Sequence, residues 1–150
     1  MRWLFNVLKA MTLCLGILIG VAFLLPGHRH VERSLDIPAP AQRVWVLIAD
    51  PQKWNTWSPW SLKDPAMKLR LVPAESPHLL TYTLTLTEVG AQASGALRLE
   101  STAAGTRVTW SLETDLGLNP VARWLGLGLE HTVGSDFELG LGRLALASKA

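Results

Sequence analysis

The residue types best suited to chemistry in this 150-residue chain are its tryptophans and a small set of acids and histidines. Trp54, Trp57 and Trp60 recur at every third position, with Trp45 a little upstream. Indole rings at that density can line the mouth of an apolar ligand site, sit at a membrane interface, or fill a core beside a loop fixed by Pro59. Glu130, His131 and Asp136 form a second set. Inside a cavity such groups polarise a bound molecule or move a proton; on a helix turn they face water. His28 and His30 alternate on an extended stretch and offer too few ligands for a metal. Glu130-His131 is not part of H-E-x-x-H, and Gly126-Leu127-Gly128 misses the third glycine of a dinucleotide fingerprint. There is no P-loop, no nucleophile elbow and no ordered Ser/His/Asp set. No catalytic residue, metal ligand or cofactor is assigned on these grounds.

Composition narrows the classes. The charged share of 17% lies below the roughly 25% of an average soluble domain. A net charge of +2, with no basic stripe interleaved with aromatics, excludes nucleic acid as a partner. Cys14 is the single cysteine, so no disulfide forms within one chain.

Ala10 to Leu25 carries no charge. As a helix it spans about 24 Å; extension back to Trp3 brings it to about 34 Å, enough for a hydrocarbon core of about 30 Å. Lys9 then snorkels and Trp3 takes an interfacial position. A cleaved signal peptide is the competing reading, but the run ends Phe23-Leu24-Leu25-Pro26-Gly27 with no small-residue cleavage site. Residues 1–26 are therefore read as a single-pass transmembrane anchor, 27–30 as a linker and 31–150 as one domain. Arg2 and Lys9 favour a cytoplasmic N-terminus with the domain outside, a bias that Arg29 and Arg33 dilute.

The elements that must position the candidates follow from periodicity. Val31 to Ile37 alternates as a strand and stops at Pro38-Ala39-Pro40. Ala41 to Ala49 has helical spacing, and Asp50-Pro51 caps a second short helix that runs into the tryptophans. Met67 to Val72 is a short strand. Leu80 to Glu88 alternates, with Leu80, Tyr82, Leu84 and Leu86 on one face and threonines on the other. Ala91–Glu100 and Thr106–Thr114 continue an antiparallel meander, the latter turning Val108, Trp110 and Leu112 inward. Asn119-Pro120 opens the C-terminal helical region, where Val133, Phe137, Leu141 and Leu144 share a face. Its five glycines predict a break near Gly134-Ser135, with Asp136 opening a second helical piece. Small residues on this helix either leave room for a ligand or let the helix pack closely on the sheet.

The chain resembles the START-like (SRPBCC) superfamily of helix-grip domains, most of all its bacterial polyketide cyclase/dehydrase-like group. The resemblance is carried by Val31-Glu32-Arg33-Ser34 through Ile37-Pro38-Ala39-Pro40, Val44-Trp45, Trp54, Trp57-Ser58-Pro59-Trp60 and Asp64-Pro65. Gly105-Thr106-Arg107-Val108-Thr109-Trp110, Asn119-Pro120 and Val133-Gly134-Ser135-Asp136-Phe137-Glu138 complete it. It implies an α+β helix-grip fold: an antiparallel sheet packed on a long C-terminal helix, here preceded by a transmembrane helix. Asp64 reaches His78 too quickly for the family's full set of strands. A hairpin of roughly 20–30 residues is inferred to be missing, leaving about five strands and a cavity open on one side or lost. The resemblance implies a membrane-tethered binding module for an apolar small molecule or lipid, with Trp54, Trp57, Trp60, Tyr82, Trp110, His131 and Asp136 as its ligand-binding candidates. Two other functions stay open: a structural domain that pairs with a partner or a second copy through the open sheet edge, and a cyclase- or dehydrase-type enzyme using Glu130, His131 or Asp136.

Overall fold

The computed structural model describes residues 1–60, 67–86 and 90–149. Helix α1 (Arg2–Leu24) is followed by strand β1 (His28–Ile37), helix α2 (Ala41–Ala49), a 3-10 turn (Pro51–Lys53) and the single turn α3 (Trp54–Trp57). Strands β2 (Met67–Ser76), β3 (Leu79–Leu86), β4 (Ala91–Thr102) and β5 (Gly105–Asp115) come next, then α4 (Pro120–Gly126) and α5 (Leu129–Lys149). The five strands form one antiparallel sheet in the order β1-β5-β4-β3-β2, so the first strand closes against the last. Helix α5 lies along β1, and α2 and α3 flank it over the same face. This is the α+β helix-grip architecture that the resemblance implies, with the five strands expected. The motif residues Asp64-Pro65 and the strand end at Thr87-Glu88 fall outside the described residues.

Alternation decides which face of each strand is covered. Leu80, Tyr82 and Leu84 on β3 are buried, as are Val108, Trp110 and Leu112 on β5. Strand β1 starts at His28, with His28↔Asp115 and His30↔Glu113 in register. His30 lies 3.5 Å from Glu32 and 3.3 Å from Glu113 on the outer face. Among the described residues no group of three metal-ligating side chains gathers. Leu35, on the covered side of this edge strand, stays 38% exposed.

The caps form where the sequence places them. Asp50 accepts from the Gln52 N–H at 3.0 Å, and Asn119 accepts from the N–H groups of Val121 and Ala122 at 3.0 and 3.3 Å. The helix break does not. Helix α5 runs unbroken through Gly134 and Ser135, and the chain turns instead at Leu127-Gly128. Tertiary packing overrides the intrinsic cost of glycine here. A Cβ on Gly134 would lie 2.5 Å from an Arg33 guanidinium nitrogen, and one on Gly140 would lie 2.6 Å from the Trp110 ring. The absent side chains let α5 press against β1 and β5. Arg33 fills the Gly134 slot and donates to Glu138 and Glu130, each at 3.0 Å, one helical turn to either side. Those two hydrogen bonds raise the Arg33 pKa above its ordinary value.

Candidate functional site

The indole N–H groups explain how the tryptophan segment is held. The last carbonyls of a helix lack partners within it. At the end of α2, Trp54 Nε1 donates to the Ile48 carbonyl at 2.7 Å and Trp57 Nε1 to the Leu47 carbonyl at 3.1 Å. The rings then turn into the core, where both are fully buried. Trp110 sits among them: Trp54, Trp57 and Trp60 approach it at ring-centroid distances of 6.0, 5.3 and 5.2 Å, and Phe137 stacks on it at 4.3 Å. These are the edge-on and stacked geometries that aromatic quadrupoles favour. Trp110 Nε1 donates to the Tyr82 hydroxyl at 3.0 Å, and that hydroxyl donates to the Ser111 carbonyl at 2.8 Å.

Burial pushes the Tyr82 phenol well above its usual pKa, the hydrogen bond from Trp110 opposing only in part. An unfolded phenol ionises near pH 10. The neutral phenol's contribution to stability is therefore complete below about pH 10 and is lost as pH rises toward the folded value. Tyr82 is the chain's single tyrosine, so an alkaline absorbance titration reads it alone. Phenolate absorbance should stay absent above pH 10 until the circular dichroism signal collapses with it. A phenolate signal that develops near pH 10 on a folded chain contradicts the buried hydrogen-bonded geometry.

Next to this aromatic block lies an apolar groove of about 440 Å³, open on one side. Its floor is Leu84, Ala93, Leu112 and Thr114 of the sheet, and Met67 stands at the β2 side. Leu125, Leu129, Thr132 and Val133, around the α4–α5 turn, form the opposite wall. Trp60 and Asp136 line its inner end, where Trp60 Nε1 donates to Asp136 Oδ2 at 3.0 Å. The pair is the polar handle of an otherwise greasy wall. On the same inward row of the sheet, Arg29↔Thr114↔Ala93↔Leu84, Arg29 keeps Nε and Nη2 buried without an acceptor among the described residues, although it does not line the groove.

The seven candidates thus separate. Trp60 and Asp136 meet at the groove. Trp54, Trp57, Tyr82 and Trp110 are buried in the core and do not line it. His131 is exposed on α5, away from the groove, and Glu130 is exposed and paired with Arg33. Sequence reasoning missed the aliphatic walls. Leu125, Leu129, Thr132–Val133 and Asp136 recur at helical spacing, a stripe distinct from the core-facing Phe137, Leu141 and Leu144. That spacing was the available signal.

Comparison with solved structures places this fold among known ones. The di-domain ARO/CYC StfQ from the steffimycin biosynthetic pathway matches with a TM-score of 0.61 at 10% identity, over 81% of this chain and 51% of StfQ. DynU16, from the dynemicin biosynthetic locus, matches with a TM-score of 0.60 at 18% identity, over 81% of this chain and 47% of DynU16. This chain therefore corresponds to about half of either protein. Protein MLL2253 from Mesorhizobium loti matches along 97% of its own length, with a TM-score of 0.58 at 18% identity over 81% of this chain. At such identities the likeness concerns the fold alone. No curated protein matches this sequence. The family model described as polyketide cyclase / dehydrase and lipid transport matches residues 60–149, a span that holds the sheet meander, the groove walls and the final helix. The chain belongs to this polyketide cyclase/dehydrase and lipid-transport family, within the START-like helix-grip fold.

Proposed function

We propose that the protein is a membrane-tethered module that binds an apolar small molecule or lipid in the groove between the sheet and the α4–α5 turn. The groove itself carries this reading: its walls are aliphatic, it is already formed, and it offers a polar contact at the Trp60–Asp136 pair. The tether is supported by α1, a 23-residue helix long and apolar enough to cross a bilayer. Among the acid–base candidates, only Asp136 reaches the groove, and it already accepts a hydrogen bond from Trp60. Binding is therefore favoured over catalysis.

Photo-crosslinking tests this. A long-chain diazirine fatty acid is added to the full chain in lipid nanodiscs and the labelled peptides are mapped. Labels are expected on the segments that contain Leu112 and Leu129–Val133. Ala93 lies on the groove floor and is only 9% exposed. Ala93→Phe would fill that space and should cut labelling of these segments roughly fivefold or more, with the fold retained. Labelling confined to α1, or unchanged in Ala93→Phe, would contradict the proposal.

A further inference from the structure

The stretch from Leu116 to Leu129 contains a single charged residue, Arg123. Its surface is unusually greasy: Leu118, Val121, Trp124, Leu125 and Leu127 are 75, 62, 37, 57 and 50% exposed. Five large apolar side chains on one short helix and its flanking turns exceed what a solvated surface ordinarily shows, and such patches mark contact with an apolar partner.

The position of this patch identifies the partner. Arg123 folds back onto the end of α1, where it donates to the carbonyls of Phe23 and Leu25, each at 3.1 Å, and lies over the Phe23 ring. Its charge is thereby spent on the helix end, and the outer face of α4 is left apolar. Trp124 Nε1 donates to the Leu18 carbonyl at 3.0 Å. Leu18 lies six residues before the end of α1 at Leu24, which is about 9 Å along the helix axis. Helix α4 is thus bound to the flank of α1 at a level inside its final two turns.

We propose that α4 is itself embedded in the bilayer interface beside α1, with Leu118, Val121, Leu125 and Leu127 among the headgroups and upper acyl chains. The occupant of the patch is lipid, because the patch is continuous with the apolar flank of a helix long enough to span a membrane. A depth of about 9 Å matches the 5–10 Å at which interfacial helices bury their apolar faces. An indole and an arginine side by side are residues suited to that layer. Leu125 belongs to both the patch and the groove wall. The groove would then open beside the lipid phase, and a ligand could enter without crossing water. This inference rests on the reading of α1 as a membrane span.

Site-directed fluorescence separates the two. The native Cys14 on α1 is exposed and serves as the anchor probe. In a Cys14→Ser background, Val121→Cys and Leu127→Cys probe α4, and Leu146→Cys, 66% exposed on α5, is the solvent control. Each single-cysteine full-length chain is labelled with an environment-sensitive dye in phosphatidylcholine/phosphatidylglycerol vesicles. Quenching by lipids that carry a doxyl group high on the acyl chain should be roughly threefold stronger at Val121 and Leu127 than at Leu146. If Cys14 is lipid-quenched while Val121 and Leu127 behave like Leu146, the anchor stands and the embedding of α4 is overturned. If Cys14 too is unquenched by lipids labelled at any depth, the span reading fails and the embedding falls with it.

Discussion

Replacing Trp110 with alanine should cost the protein about 4 kcal/mol of stability, within the range for truncation of a buried large aromatic. The indole is fully buried where four rings converge, stacked on Phe137 at an interplanar angle of 18°. Its removal leaves a cavity bounded by rigid neighbours, which collapse poorly into it. It also strips the Tyr82 hydroxyl of its donor, although that hydroxyl still donates to Ser111. Chemical denaturation of the full chain in mild detergent measures the loss, and thermal scans should show a fall in Tm of about 10–15 °C. Trp110→Phe keeps the ring stack and should recover about half. A loss below about 1.5 kcal/mol for the alanine variant would mean that the aromatic block is not the centre of the fold.

Gly95→Ala should be nearly as severe, although it adds one methyl group. Gly95 pairs with Tyr82 on one side and Leu112 on the other. A Cβ there would collide with the Ser111 carbonyl and with the Tyr82 Cζ and hydroxyl. The phenol crosses the space above Gly95 to reach both of its hydrogen-bond partners, so an alanine displaces it and breaks both bonds. Overpacking costs about 1–3 kcal/mol, and stranded buried polar groups add about 1–3 kcal/mol. A total loss near 3 kcal/mol is expected. A double-mutant cycle with Tyr82→Phe isolates the hydroxyl's share, since that variant removes the oxygen while the Ser111 carbonyl and the ring's Cζ stay in place. The two losses should fall short of additivity by more than about 1 kcal/mol. Additive losses would show that the Ser111 carbonyl and the ring carbons, and not the hydroxyl, set the cost of a side chain at Gly95. In Gly95→Ala the Tyr82 phenolate should also appear at lower pH.

Much of the scaffold was legible in the chain because the governing physics is local. Alternation at Leu80-Tyr82-Leu84 and Val108-Trp110-Leu112 needs only the two-residue period of a strand, and Asp50-Pro51 and Asn119-Pro120 are caps that carry their own partners. The helix break was not legible. Glycine propensity pointed to Gly134, but the energy that decides it comes from Arg33 at Gly134 and from Trp110 at Gly140, 101 and 30 positions away in number and in contact only after folding.

The site was harder still. Trp54, Trp57, Tyr82 and Trp110 all turn toward the covered side of the sheet, and no periodicity distinguishes an inward ring that fills a core from one that lines a groove. That depends on where α5 crosses, which its glycines set by close approach. His131 and Asp136 are five residues apart, hence about 140° apart around a helix. Only one of them could face the groove, and the packing chose Asp136. Trp60 reached it because Pro59 and the Ser58 hydroxyl, which accepts from the Trp60 N–H at 3.1 Å, turn the chain out of α3.

The five-stranded sheet and the α4–α5 turn leave a groove that is open on one side, and the proposed function depends on whether that groove is occupied in a membrane. Native mass spectrometry of the full-length chain, released from nanodiscs reconstituted directly from the expressing membranes, measures this most directly. The wild type should carry an apolar compound as a discrete mass adduct that survives ejection from the disc, and Ala93→Phe should be released bare. A bare wild-type chain, or the same adduct on both proteins, would contradict a ligand held in the groove.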